Sequence, residues 1–283
     1  MTPDEVINIF EQGIKANEDT GLRSGNLVSL AAVGDLMVAG DIHGHRRNFE
    51  RVVSYADLEN NSKRHLVLQE IIHGGPEDDE GGCLSFEVLI EAVKLKIKFA
   101  DRVHLIMANH DTAFISNSEV MKNGREMNRT MRIAMQRRYG DSIKAVESAM
   151  ERFLFSQPLA VKCPNRIWIS HSLPAARYLD KFDFTIFDRQ LKVSDIVRPN
   201  SAYTLTWGRK QSEKILDMLA EKLDVDFFIL GHQVQENGWM SNNKNLVIID
   251  SQHNHGYLCH IELTKSYTID ALIESLVRLA QIQ

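Results

Sequence analysis

Residues that bind metal ions follow several apolar segments of the chain. Asp41 and His43 come shortly after the apolar run at residues 36–39, and Gly40 and Gly44 flank them. A carboxylate and an imidazole two residues apart at the end of a strand can bind the same cation. The glycines allow the backbone to bend sharply and a phosphate group to come close. The pair alone has low specificity, because an aspartate that caps the following helix gives the same pattern.

Four more apolar segments end in residues of the same kinds, namely Glu70, Asn109 with His110, His171 and His232. Functional groups gather beyond the carboxyl ends of strands in open α/β sheets, so we expect the five segment ends to converge. Oxygen and nitrogen ligands without sulfur suit manganese, iron or zinc. The set is larger than one tetrahedral ion needs. It therefore predicts two metal ions about 3.5–4 Å apart, bridged by a carboxylate and a water.

Composition places the chain among soluble globular proteins. Its 283 residues are 43% hydrophobic and 25% charged, and they are enough to bury a large core, so we expect one domain over residues 1–283. A net charge of −5 argues against a general nucleic-acid partner. The sequence has neither a signal-peptide pattern nor a long uncharged apolar stretch, so we expect a cytoplasmic protein without a membrane partner. Three widely spaced cysteines predict buried thiols rather than a metal site.

The periodicity of apolar residues predicts alternating helices and strands. We expect helices at residues 4–16, 48–58, 86–99, 210–223 and 269–282, and a helical region at 119–155. We expect strands at residues 65–72, 103–107, 166–170, 226–230, 246–250 and 257–263, and a strand or hairpin at 27–39. This order predicts an α/β fold with a mixed sheet, or two packed sheets, and helices on the outer faces.

Several of these motifs resemble those of the calcineurin-like metallophosphoesterases, over roughly residues 35–265. The matching stretches are Gly40-Asp41-Ile42-His43-Gly44, Ala108-Asn109-His110-Asp111, His171 and Gly231-His232. Within that family they are most similar to the phosphoprotein phosphatase branch, with its GDxHG, GDxxDRG and GNHE signatures. The resemblance implies an α/β fold of two mixed sheets packed together with helices on the outer faces.

The resemblance also implies a role for each matching residue. Asp41 and His43 would bind the first metal ion, and Glu70 would bridge both ions. Asn109, His171 and His232 would bind the second ion. His110 would protonate the leaving oxygen, and Arg209 lies where the family has an arginine that binds phosphate. A water activated by the two ions would attack phosphorus.

The second motif departs from the family pattern at three positions. Glu70 replaces the bridging aspartate, His73 replaces an aspartate that orients the catalytic histidine, and Gly74 replaces an arginine that binds phosphate. Asp78 or Asp79 is a candidate to orient His110 instead. Other candidates to bind phosphate are Arg46, Arg47 and a helical stripe formed by Arg125, Arg129 and Arg132.

The function that these residues predict is hydrolysis of a phosphate monoester at a site with two metal ions. The resemblance implies a phosphoserine or phosphothreonine protein as the substrate. One alternative is a nucleotide or dinucleoside polyphosphate hydrolase, for which Tyr139, Trp207 or Trp239 would stack on the base. Another alternative is a degenerate protein that binds metal and phosphorylated partners without turnover, which the changes in the second motif favour.

Overall fold

Two mixed β-sheets face each other at the centre of the protein, and helices cover their outer faces. The computed structural model describes residues 1–122 and 124–282. The helices are α1 Pro3–Glu18, α2 Arg46–Ala56, α3 Ser85–Lys98, α4 Asn109–Ile115, α5 Met127–Tyr139, α6 Ile143–Ser156, α7 Ser201–Trp207, α8 Glu213–Leu223 and α9 Ile269–Glu274.

Short strands make up the two sheets and one separate hairpin. They are β1 Arg23–Ser24, β2 Leu27–Ser29, β3 Asp35–Asp41, β4 Arg64–Gln69, β5 Val103–Ile106, β6 Met121–Lys122, β7 Arg125–Glu126, β8 Ala160–Lys162, β9 Ile167–Ser170, β10 Phe227–Leu230, β11 Trp239–Ser241, β12 Leu246–Ile249, β13 Tyr257–Glu262 and β14 Leu276–Arg278. One sheet has the order β1-β2-β8-β9-β10-β12-β11, and the other has the order β14-β13-β3-β4-β5. Strands β6 and β7 form the hairpin.

Each sheet contains three adjacent parallel strands. In the five-stranded sheet these are β3, β4 and β5, and in the seven-stranded sheet they are β9, β10 and β12. A parallel bridge between Asp41 and Asp250 joins the ends of β3 and β12. A Cβ on Gly40 would lie 2.1 Å from the carbonyl oxygen of Ile249, so only glycine permits this approach. The carboxyl ends of both parallel sets therefore meet at one edge.

Alternate residues of the central strands pack into different cores. Val38, Val67 and Ile106 point towards the opposite sheet, where they meet Ile169, Ile229 and Val247. The preceding residues Met37, Leu66 and Leu105 point outwards, under the helices of the five-stranded sheet. Because both faces of these strands are covered, the strands are continuous apolar runs rather than alternating ones. The α/β fold of two packed mixed sheets with outer helices is as the sequence predicts.

Most of the predicted elements are confirmed, with shifts of a few residues at their ends. The exceptions among the predicted helices are residues 269–282 and part of the region 119–155. Cys83, Cys163 and Cys259 are free and buried, as expected. Among the described residues, no helix combines the length and the apolar character that crossing a membrane requires.

The predicted closing helix at residues 269–282 is wrong in its second half. Helix α9 ends at Glu274, and β14 then pairs antiparallel with β13, with Leu258 opposite Val277. Apolar residues at 276, 277 and 279 fit a helix as well as a strand. These residues form a strand because the edge of β13 offers them backbone hydrogen-bond partners, which a solvent-exposed helix end would lack.

Three other expectations need correction. Strands β2 and β3 lie in different sheets, so residues 27–39 are not a hairpin. The region 119–155 begins with the β6–β7 hairpin, although residue 123 lies outside the described residues. Arg125 is therefore in β7 and does not share a helical stripe with Arg129 and Arg132. Helix α7, which the sequence did not indicate, fills part of the stretch before Arg209.

Candidate metal centre

All the predicted metal-binding residues lie at the edge where the parallel strands end. Asp41 is the last residue of β3, and Glu70, Asn109 and His171 follow β4, β5 and β9 within three residues. His232 comes two residues after β10. His43, Glu70, His73 and His232 all have positive φ angles, between 45° and 67°. Such conformations cost free energy for residues other than glycine, and they are concentrated at functional sites.

Four potential ligand atoms meet at one point of this edge. His171 Nε2 lies 2.8 Å from Asn109 Oδ1 and 3.0 Å from Glu70 Oε2. His232 Nδ1 lies 2.9 Å from the same Asn109 oxygen. Neighbouring ligands of one ion, each about 2.1 Å from it and at right angles, would be about 3 Å apart. The spacing of these atoms therefore fits a shared cation.

The hydrogen bonds of His171 determine which of its nitrogens can bind metal. Its Nδ1 lies 2.9 Å from Gln69 Oε1, and Gln69 Nε2 donates to the carbonyl oxygen of Ala39 at 3.0 Å. An amide oxygen only accepts, so Nδ1 carries the hydrogen and Nε2 of the neutral ring carries the lone pair. Nε2 then faces oxygens of Asn109 and Glu70 that are also acceptors. Three acceptors this close repel one another unless a cation or a proton lies between them.

A second group of potential ligand atoms shares Glu70 with the first. The ligand atoms of His43, Glu70 and His110 lie within 4.8 Å of one another. His43 Nδ1 donates to the carbonyl oxygen of Ile72 at 3.1 Å, which leaves Nε2 free, 4.0 Å from Asp41 Oδ2. Glu70 Oε1 and His110 Nδ1 are 3.8 Å apart, and both are buried without a hydrogen-bond partner among the described residues. Glu70 thus offers one oxygen to each group.

Burial makes this arrangement unfavourable without a cation. It raises the pKa of Asp41 to about 7 and that of Glu70 to about 8. It lowers the pKa values of His43, His110 and His232 well below the ordinary histidine value, so these imidazoles are neutral at pH 7. Neutral imidazoles and carboxylates that need a counter-charge are the donor set that a metal ion requires. The backbone N–H of His232 bonds both oxygens of Asp41, at 2.9 and 3.1 Å.

The structure does not bring the predicted substitute carboxylate Asp78 to His110. Asp78 instead bonds Arg137, while Glu77 and Glu80 pair with Arg125 and Arg137. These ion pairs attach the loop at residues 76–82 to β7 and α5. The rings of His43 and His73 lie next to that of His110, at 4.9 and 5.0 Å between centroids.

Of the candidate phosphate-binding arginines, Arg209 acts on the centre most directly. Its charge lowers the pKa of Glu70, against the larger effect of burial. The other arginines that have partners make ion pairs elsewhere: Arg46 with Glu87, Arg125 with Glu77 and Arg132 with Glu147.

No sequence motif indicates the roles of two further residues near the centre, Lys122 and Gln69. Lys122 Nζ donates to Gln252 Oε1 at 3.0 Å, and the Gln252 backbone N–H donates to Asp250, the residue bridged to Asp41. After burial, the charge of Lys122 has the largest effect on the pKa of Glu70, and it lowers that pKa. Lys122 lies in a two-residue strand outside every motif, so no motif identifies it.

Comparison with known proteins agrees with this geometry. Residues 35–236 match the family model for calcineurin-like phosphoesterases. The chain belongs to this family. Its fold is similar to that of a protein serine/threonine phosphatase from Saccharomyces cerevisiae, with a TM-score of 0.70 and 16% identity, covering 98% of this chain and 89% of the other.

A second similar structure is a cold-active protein-tyrosine phosphatase from a psychrophilic Shewanella species. It has a TM-score of 0.57 and 15% identity, covering 86% of this chain and 78% of the other. At this level of identity, both similarities establish the fold rather than the substrate. The family and the fold class predicted from the sequence are confirmed.

We expect Mn²⁺ added to chelator-treated protein to raise its free energy of unfolding. An ion at 100 times its dissociation constant contributes about 2.7 kcal/mol. The gain should be larger at pH 8 than at pH 6, because Asp41 and Glu70, with pKa values of about 7 and about 8, hold protons at pH 6 that the ion must displace. Urea unfolding with and without Mn²⁺ measures this gain. It should shrink in Asn109→Ala and persist in His255→Ala, which changes an exposed histidine; an equal gain in both variants would place the ion elsewhere.

Proposed function

We propose that this protein is a metal-dependent phosphatase that hydrolyses a phosphate monoester. The proposed metal ligands are Asp41, His43, Glu70, Asn109, His171 and His232, with Glu70 shared between two ions of manganese, iron or zinc. The observation that carries the proposal is the buried position of His171 Nε2, which lies 2.8 Å from Asn109 Oδ1 and 3.0 Å from Glu70 Oε2. Membership of the calcineurin-like phosphoesterase family supports the same reaction class.

The similar structures favour a phosphoprotein as the substrate. Both proteins are described as protein phosphatases, one acting on serine and threonine and the other on tyrosine. The sequence motifs resemble the serine/threonine branch, so we propose a phosphorylated protein as the substrate. When bound, the two metal ions would supply an activated water and neutralise charge on the phosphate.

Side chains of the protein would bind the phosphate and donate the proton to the leaving oxygen. Lys122 and Arg209 are the cations whose charges act on Glu70, and we propose that both bind phosphate oxygens. His110 is neutral in the protein alone because burial lowers its pKa. A phosphate dianion next to it would raise that pKa, since an opposite charge favours the protonated ring. His110 would then donate its proton to the leaving oxygen.

We expect His110→Ala to keep both metal ions and to lose turnover of an aryl phosphate by about 100-fold or more, the usual contribution of a general acid. Elemental analysis and steady-state rates in Mn²⁺ measure the two effects. His45→Ala is the matched control, because His45 accepts a hydrogen bond from the Asn48 backbone and caps α2; its turnover should stay near that of the wild type.

The same assay separates the alternatives. Loss of metal from His110→Ala would make His110 a ligand rather than the acid. Two bound ions in the wild type without turnover of an aryl phosphate, a phosphopeptide or a dinucleoside polyphosphate would contradict the enzymatic proposal and favour a binding protein. Faster turnover of the dinucleoside polyphosphate than of the phosphopeptide would favour the nucleotide hydrolase.

We expect Lys122→Ala to raise KM for the same aryl phosphate by about 10-fold or more and Lys122→Arg to restore most of the loss. A hydrogen bond to a charged group contributes about 1.5–3 kcal/mol, and 1.4 kcal/mol corresponds to a factor of ten. Lys244→Ala removes an exposed lysine that pairs with Asp217, and it should leave KM unchanged. An unchanged KM in Lys122→Ala would exclude a contact with phosphate.

A further inference from the structure

A basic pocket of about 530 Å³ adjoins the candidate metal centre. Its charged and aromatic lining residues are Arg177, Tyr178, Tyr203, Trp207, Arg209 and Lys210. The ring of Trp207 lies 6.3 Å from that of His232, measured between centroids. Arg209, whose charge lowers the pKa of Glu70, also lines this pocket. A group bound in this pocket would thus be a neighbour of any group bound at the metal ligands.

The positive charges of the basic pocket are not balanced by the protein. Among residues 1–122 and 124–282, Arg177, Arg209 and Lys210 form no salt bridge, and no aspartate or glutamate lines the pocket. The chain as a whole has more acidic than basic residues, with a net charge of −5. Three uncompensated cations around one cavity therefore favour an anionic ligand.

Hydrogen bonds connect the aromatic wall of the basic pocket, formed by Tyr203 and Trp207, to the candidate metal centre. Tyr203 and Trp207, one turn apart on α7, are stacked with centroids 5.5 Å apart and an angle of 16°. Trp207 Nε1 donates to Thr112 Oγ1 at 3.0 Å, and Thr112 Oγ1 donates to the carbonyl oxygen of Asn109 at 2.7 Å. These bonds connect the wall to the residue that we propose as a metal ligand. Arg177 lies over the ring of Tyr178, 4.7 Å from its centroid.

We propose that the basic pocket binds acidic side chains next to the phosphorylated residue, so that the substrate is an acidic phosphopeptide. This inference rests on the proposed phosphatase function. Arg177, Arg209 and Lys210 are all exposed, which leaves the pocket open to a peptide chain that continues past it. A site for a free nucleotide would enclose most of the ligand instead. The wall of Tyr203 and Trp207 would pack against the apolar part of the phosphorylated side chain.

The test compares two phosphopeptides of one sequence, with Asp and Glu or with Asn and Gln around the phosphorylated residue. We expect kcat/KM in Mn²⁺ to be about 10-fold higher for the acidic peptide at low salt and the difference to shrink at high salt, because exposed charges are screened. The double variant Arg177→Gln/Lys210→Gln should lose this preference. It should hydrolyse para-nitrophenyl phosphate, which has no flanking residues, at the wild-type rate.

The control variant Lys94→Gln/Lys98→Gln makes the same charge change on α3 and should keep the preference. Equal rates for both peptides in the wild type, with para-nitrophenyl phosphate hydrolysed, would overturn this inference and leave the phosphatase proposal intact. Preference of the wild type for a dinucleoside polyphosphate over both peptides would assign the pocket to a nucleotide. Absence of turnover on every substrate, with metal bound, would overturn both proposals together.

Discussion

The candidate metal centre depends on hydrogen-bond acceptors that are held close together against their mutual repulsion. His171 Nε2, Asn109 Oδ1 and the ionised Glu70 Oε2 all accept hydrogen bonds, yet both oxygens lie within 3.0 Å of the nitrogen in a buried position. The bond from His171 Nδ1 to Gln69, which is held in turn by Ala39, prevents the ring from presenting an N–H there. Unpaired buried acceptors cost free energy, so the arrangement needs a cation or a proton in the middle.

The fold provides the rigidity that this arrangement requires. Parallel strands in two sheets end at the same edge, and the bridge between Asp41 and Asp250 connects one sheet to the other. The strained backbone conformations of His43, Glu70 and His232 persist because the strands on either side are buried on both faces. Strain of this kind is retained where the surrounding core determines the conformation. Stability of the cores is thus what positions the ligands.

Sequence patterns predicted the parts of this architecture that depend on local chemistry. A buried parallel strand is a continuous apolar run, and its end is marked by an abrupt change to Asp41, Glu70 or His171. Sequence patterns do not indicate Lys122 and Gln69, because the roles of these residues depend on packing between segments that are distant in sequence. The same reason applies to β14, where the edge of β13 overrides a helical pattern. Asp78 is a candidate to orient His110 because it lies in an acidic segment, but in the structure its carboxylate pairs with Arg137 instead.

We propose that one metal ion lies among Glu70, Asn109, His171 and His232. Crystals grown with Mn²⁺ test it most directly, through anomalous diffraction measured on both sides of the manganese absorption edge. We expect an anomalous peak within about 2.0–2.3 Å of Asn109 Oδ1, His171 Nε2 and His232 Nδ1. A map without a peak among these atoms at saturating Mn²⁺, or with ions only on surface carboxylates, would contradict it.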